Sequence, residues 1–191
     1  MEYFTLFFIV FCFIVQISIW IVSAFSTKKT LDNKGGWLMR IMAIIFIVFA
    51  IILKDDSADL IPVFGLDFWN YSLSIGIIAD LVTLSGVIFM IWARFSLGKN
   101  WSANVVLKED HELITSGPYK YVRHPIYSGL LLMILGIAIY SGSFVGFFLF
   151  VLFFIGAYYK ASKEEKLLIK YFPEQYPKYI RDVRALIPFV L

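Results

Sequence analysis

The chain has 191 residues, 60% of them hydrophobic and 20 of them Phe, with a mean hydropathy of +0.80 and a net charge of +3. Such a composition excludes an ordinary soluble domain and places the chain in a bilayer. The basic residues are spread over loops and the C-terminus rather than forming a stripe, which argues against nucleic acid as a partner. The single cysteine, Cys12, lies within an apolar run, so one chain can build neither a disulfide framework nor a thiolate metal site.

Phe4 to Phe25 is 22 residues without a formal charge, enough at about 1.5 Å per residue to cross a core of roughly 30 Å. A cleaved secretory signal would begin with basic residues and carry a shorter apolar stretch, whereas this chain begins Met1, Glu2, Tyr3, so the span is expected to be retained. Trp37 to Leu53 reads as a second span and Tyr71 to Ala93 as a third, interrupted only by Asp80. The loop after the first span carries Lys28, Lys29, Lys34 and Arg40; the loop after the second carries Asp55, Asp56, Asp59 and Asp67 with Lys54 as its only base. Counting Lys and Arg places the first loop in the cytoplasm and the N-terminus outside. The third span then leads into a cytoplasmic segment from Arg94 to Pro125, where Arg94, Lys99, Lys108, Lys120 and Arg123 agree with that orientation.

After Pro125 an apolar stretch reaches Tyr159, broken at Ser141-Gly142-Ser143 into pieces of about 14 and 16 residues, or roughly 21 and 24 Å of helix. A tight hairpin of two helices is expected, because one helix through both pieces would overshoot the bilayer and Ser-Gly-Ser is a turn signal. Beyond it, Lys163 to Phe172 sets Leu167, Leu168 and Phe172 near one face, as an amphipathic helix lying on the membrane or on the other cytosolic segment would; Pro173 ends it. The fold expected is an all-α polytopic membrane protein of about five transmembrane helices, forming a single domain over 1–191. Gly142-xxx-Gly146 is a weak helix-packing signal.

The polar residues gather in two segments, Ser96 to Pro125 and Lys160 to Leu191, which the hairpin brings together at its open end. A transporter or channel, the rival reading from another class, would place ionisable groups at mid-membrane depth, where Asp80 alone qualifies clearly and is expected to make a structural polar contact. In GPYKYVRHPIYSG (Gly117 to Gly129), Gly117-Pro118 reads as a turn and His124-Pro125 as a helix start. A helix N-terminus facing the cytosol suits a carboxylate or other electron-rich group, with Arg123 and His124 as added donors. An equally open reading has Arg123 snorkelling to headgroups and His124 acting as a cap. His111 and His124 have no third ligand at metal spacing, which excludes a zinc site. Glu164 and Glu165 are adjacent, about 100° apart on a helix, so they do not form a close carboxylate pair. From the residues alone, both read as complements of a helix N-terminus.

Taken together, LGKNWS (Leu97 to Ser102), HELITSGPYKYVRHPIYSG (His111 to Gly129), KEEKLL (Lys163 to Leu168) and YPKYIRDVRALIP (Tyr176 to Pro188) resemble the isoprenylcysteine carboxyl methyltransferase family, integral-membrane enzymes related to phospholipid methyltransferases. The match covers roughly the C-terminal half, and RHPxY followed about 40 residues later by EE is its specific element. The resemblance implies S-adenosylmethionine as cofactor, in a pocket lined by Lys108, His111, Leu113, Tyr119, Arg123, His124, Pro125 and Tyr127, with Glu164 and Glu165 opposite. It implies as acceptor a prenylated-cysteine-like carboxylate, or alternatively a phospholipid amine whose proton Glu164 would accept. Where many members have an Arg-Val pair before the closing Ile-Pro, this chain reads Arg181-Asp182-Val183-Arg184, so the arginine expected to meet the substrate is Arg181 or Arg184.

Overall fold

The computed structural model describes residues 2–24, 66–98, 113–188 and 190. Among these, the regular elements are helices: α1 (Glu2–Ala24), α2 (Leu73–Leu97), a short 3₁₀ turn (Gly117–Lys120), α3 (Pro125–Ser141), α4 (Phe144–Tyr171) and α5 (Gln175–Asp182). The second expected span, Trp37 to Leu53, lies outside the described residues, as do the charged loops on either side up to residue 65. α1, α2 and α4 are long and apolar enough to cross a membrane, and α3 is a shorter apolar helix of 17 residues. The chain is an integral membrane protein.

The buried side of α1 reads Thr5, Ile9, Cys12, Phe13, Gln16 and Trp20. Those spacings mark one helical stripe, while Phe4, Phe7, Phe11, Ile14, Ile21 and Val22 face outward. The stripe packs on α2, where Thr5 Oγ1 donates to Asp80 Oδ2 at 3.4 Å and lies 3.3 Å from the Tyr71 hydroxyl. Asp80 thus makes the interhelical polar contact expected of it.

α2 and α3 approach closely because glycines face each other at their crossing. A Cβ on Gly86 would sit 2.6 Å from the Gly129 carbonyl oxygen, and one on Gly129 would sit 2.7 Å from that of Gly86. Lipid offers helices little hydrophobic driving force to associate, so such backbone contact carries much of the packing.

The hairpin turn falls where Ser141-Gly142-Ser143 placed it. Gly142 closes α3 in the left-handed region at φ +61°, and Ser143 caps α4 by accepting from Gly146 N at 3.1 Å. The chain just before α2 holds the turn from outside: Phe68 N donates to Gly142 O at 2.7 Å and Phe144 N to Leu66 O at 2.8 Å. A Cβ at Gly146 would lie 3.3 Å from Ala138 Cα, so Gly142-xxx-Gly146 packs the hairpin onto itself.

One expectation is corrected. The amphipathic segment Lys163 to Phe172 is not a separate helix: α4 runs unbroken for 28 residues from Phe144 to Tyr171. Between Tyr159 and Phe172 there is neither Pro nor Gly to interrupt the backbone bonds, and residues such as Ala, Lys, Glu and Leu favour continuation. At about 1.5 Å per residue α4 is roughly 42 Å long, so one end projects well past a core of roughly 30 Å. The polar half of α4 thereby stands over the start of α3.

Candidate active site

The segment from Gly117 to Gly129 folds as a turn followed by a helix start. Gly117 takes φ +62°, Pro118 lies in the 3₁₀ turn, and Pro125 occupies the first turn of α3, where its missing N–H costs nothing. His124 precedes α3 but makes no side-chain cap bond. Its imidazole turns instead toward α4.

That imidazole is bracketed by the two glutamates. Nε2 lies 3.0 Å from Glu165 Oε1 and Nδ1 lies 3.5 Å from Glu164 Oε2. The Glu165 oxygen also accepts from Arg123, at 2.8 Å from Nε and 2.7 Å from Nη2. The other oxygen of Glu164 accepts from the Tyr127 hydroxyl at 2.6 Å, and Tyr127 stacks on His124 with ring centroids 5.7 Å apart. Burial works against the imidazolium, but the hydrogen bonds and charges of Glu164 and Glu165 outweigh it and hold His124 above its ordinary value. Complementing a helix N-terminus is therefore not what these carboxylates do. α4 begins at Phe144, which puts both near its far end, and their side chains, pointing apart on the helix, meet one ring from its two sides.

The third wall comes from the chain after Pro173. Arg123 N donates to Arg184 O at 2.7 Å, His124 N to Ala185 O at 3.0 Å, and Ser128 Oγ to Leu186 O at 2.6 Å. Arg123 Nη1 donates to Ile180 O at 3.3 Å and also to Val183 O, and the Tyr179 hydroxyl donates to Tyr119 O. The segment from Tyr179 to Leu186 is thus a strap whose acceptors are backbone carbonyls. The Arg123 side chain is only 9% exposed. It joins α4, the strap and the start of α3 rather than reaching for headgroups.

Of the residues expected in the site, Arg123, His124, Tyr127, Glu164 and Glu165 converge. Pro125 opens α3 beside them, and Tyr119 is buried beneath the strap, where desolvation drives its hydroxyl well above the usual tyrosine range. Leu113 is half-buried, and Lys108 and His111 lie outside the described residues. Arg181 and Arg184 are exposed, and Arg184 is tied to the cluster through its backbone carbonyl. Sequence reasoning passed over Lys160, which is 2% exposed with Nζ 5.4 Å from the Tyr127 ring centroid. Its signal was its place four residues before Glu164, on the same helical face. Among the described residues, no group of three His, Cys, Asp or Glu side chains is placed to hold a metal ion.

The sequence profile of the phospholipid methyltransferase family matches residues 74–175, more than half of the chain and a span that includes both halves of this cluster. The chain belongs to that family. A protein-S-isoprenylcysteine O-methyltransferase of Schizosaccharomyces pombe is 35% identical over 101 residues, covering 51% of this chain and 43% of the relative. Protein-S-isoprenylcysteine O-methyltransferase B of Arabidopsis thaliana is 27% identical over 126 residues, covering 63% and 59%. The fold is shared with the solved eukaryotic intramembrane Ras methyltransferase ICMT (isoprenylcysteine carboxyl methyltransferase), at a TM-score of 0.58 and 20% identity over 84% of this chain and 55% of that one. The phospholipid methyltransferase family member described here therefore spans about half the length of the relatives it matches.

Proposed function

We propose that the protein is a membrane methyltransferase that uses S-adenosylmethionine to methylate the carboxylate of a prenylated cysteine or a similar lipophilic acid. The observation that carries this reading is the convergence of Arg123-His124 and Tyr127 with Glu164-Glu165, two motifs about 40 residues apart, under one strap. The names of the relatives and the family profile point the same way. The whole chain, 1–191, acts as one membrane-embedded methyltransferase domain in this reading, with the N-terminus outside and the site facing the cytoplasm.

The donor set fits the cofactor. Pro125 has no N–H, and those of Ile126 and Tyr127 have no acceptor within the helix, so the start of α3 offers donors to an amino-acid carboxylate. Glu164, the more exposed of the two glutamates, suits an ammonium or ribose hydroxyls, whereas Glu165 is engaged by Arg123 and His124 and serves as their counter-charge. Lys108, His111 and Leu113 remain proposed members of the pocket, and Arg181 or Arg184 the arginine that meets the acceptor.

When bound beside Glu164 and the start of α3, S-adenosylmethionine would supply an electrophilic sulfonium methyl to an acceptor oxygen, with sulfur keeping the electron pair of the S–C bond. No proton moves, so the chain need supply no general base for a carboxylate. Opposite charges are consumed together, and a water-poor pocket favours that step over the separated ions. What the residues do is position: alignment of oxygen, methyl and sulfur can supply on the order of 7–11 kcal/mol at the upper end. The lipophilic acceptor arrives sideways between spans and the cofactor from the cytosol.

The family profile also favours a second acceptor, a phospholipid amine, for which Glu164 would take the departing proton. Titrating purified, folded protein with S-adenosylhomocysteine tests the shared reading. Saturable binding is expected, and its absence would leave the rival transporter or channel reading. Radiolabelled methyl transfer to a farnesylated N-acetylcysteine against phosphatidylethanolamine then separates the acceptors, with the carboxylate expected to be methylated.

A further inference from the structure

The 3₁₀ turn does not stand clear of the bundle. A Cβ at Gly117 would lie 3.5 Å from Trp92 Nε1, and the Tyr121 ring sits 6.3 Å from that of Trp92, centroid to centroid. Trp92 is exposed on α2, five residues before its end at Leu97, or about 7.5 Å along the axis. Tyr121 is exposed as well, so the loop lowers an aromatic side chain to the depth of a membrane helix's own tryptophan. Trp and Tyr at such a depth mark the boundary between hydrocarbon and headgroups. The strap runs beside them, with Val122 and Arg184 paired as a parallel β-bridge, and beyond it Ile187 and Val190 are exposed. Apolar side chains at that place are sheltered by a membrane surface and not by water.

The same edge is basic. Among residues 117–124 and 179–188 the exposed charges are Lys120, Arg181, Asp182 and Arg184. None of these three cations forms an ion pair with a described carboxylate. Cations left without counter-charge at headgroup depth attract an anionic leaflet, by about 1 kcal/mol for each Lys or Arg near the surface. The apolar residues decide between partners: an acidic protein segment would meet the charges but offer Tyr121, Ile187 and Val190 no hydrocarbon.

Resting on the reading just proposed, which sets this end of the bundle at the cytoplasm, we infer that the edge formed by Lys120, Tyr121 and the end of the strap is a docking surface. Its partner is the anionic headgroup layer of the cytoplasmic leaflet, and docking raises cofactor affinity. The link is the strap itself. Its backbone carbonyls accept from Arg123, His124 and Ser128, so a leaflet that holds the strap also holds the cluster. Apparent affinity scales with the fraction of protein in the binding-competent state, here the one with its strap docked.

The test places full-length protein in nanodiscs of phosphatidylcholine alone or with roughly one third phosphatidylglycerol. Calorimetric titration reads S-adenosylhomocysteine affinity, and hydrogen exchange at the amides of residues 123 and 124, without cofactor, reads the strap. In wild type the anionic discs are expected to tighten affinity at least about threefold and to slow exchange, both effects shrinking in high salt. Lys120→Glu should match wild type in phosphatidylcholine and lose the gain, whereas Lys120→Arg should keep it. A wild type indifferent to lipid charge overturns the docking. So does a response retained by Lys120→Glu, or one reproduced by water-soluble glycerophosphoglycerol, which needs no leaflet. Slowed exchange with unchanged affinity overturns the coupling to the site. Slowed exchange in a protein that binds no S-adenosylhomocysteine in any disc refutes the methyltransferase reading and leaves the docking standing.

Discussion

Replacing Arg123 and His124 together by lysine keeps the positive charge that orients the loop and removes the geometry of the site. Topology depends on the count of Lys and Arg, so insertion should be unchanged. The site should not survive intact. Arg123 donates to Glu165 from Nε and Nη2, and to the Ile180 and Val183 carbonyls from Nη1. A lysine cannot span an acceptor on α4 and two on the strap, so at least two of these bonds are lost. Bonds involving a charged group contribute about 1.5–3 kcal/mol each, which puts the loss of strap docking at about 3 kcal/mol or more; with a side chain only 9% exposed, solvent screening offsets little of it. Should relaxation recover half, about 1.4 kcal/mol remains, and affinity for S-adenosylhomocysteine falls about tenfold. Calorimetric titration reads the affinity, and a cysteine-accessibility map of the loops reads the topology. Hydrogen exchange at the amides of residues 123 and 124, which donate to Arg184 O and Ala185 O, reports docking of the strap and should accelerate. Wild-type affinity with unchanged exchange would refute the claim that Arg123 joins the three walls.

The raised value of His124 carries a sign for pH dependence: its contribution to stability is full below its unfolded value of about 6.5 and is lost as pH rises through the higher folded value. Melting temperature should therefore decline from pH 6.5 upward in wild type and be flatter in His124→Gln, and parallel curves would contradict the bracketing of the ring by two carboxylates. Gly129→Val forces a Cβ into the Gly86 carbonyl and should cost about 1–3 kcal/mol or more, while Gly156→Ala, with nothing within 4 Å, should be neutral or slightly stabilising in the same thermal assay. Asp80→Asn preserves an acceptor for Thr5 and should leave turnover and S-adenosylhomocysteine affinity within about threefold; loss of turnover with binding and folding intact would assign Asp80 a proton or substrate role.

The first and third spans, the hairpin turn and the gathering of polar residues at one end were legible in the sequence because each follows from local chemistry. A helix that crosses hydrocarbon must be apolar for about 20 residues, and Ser141-Gly142-Ser143 supplies the left-handed glycine and the hydroxyl cap that a tight turn requires. The Arg-His-Pro and Glu-Glu segments could be picked out as well, since ionisable side chains in so apolar a chain stand out. Their relations could not. His124 meets Glu165 across 41 residues, Tyr127 meets Glu164 across 37, and Arg123 reaches Ile180 across 57. Those meetings depend on how far α4 continues past the membrane and at what angle it crosses α3, quantities set by packing between helices rather than by any residue's own preference. Two adjacent glutamates look divergent on an isolated helix and become partners of one imidazole only when a second helix start is placed between them. Lys160 looked like the edge of a solvated segment until α3 covered it. The strap left the least trace, because its bonds are accepted by backbone carbonyls that any sequence would supply, so only the tertiary structure decided that Arg123, His124 and Ser128 would be their donors.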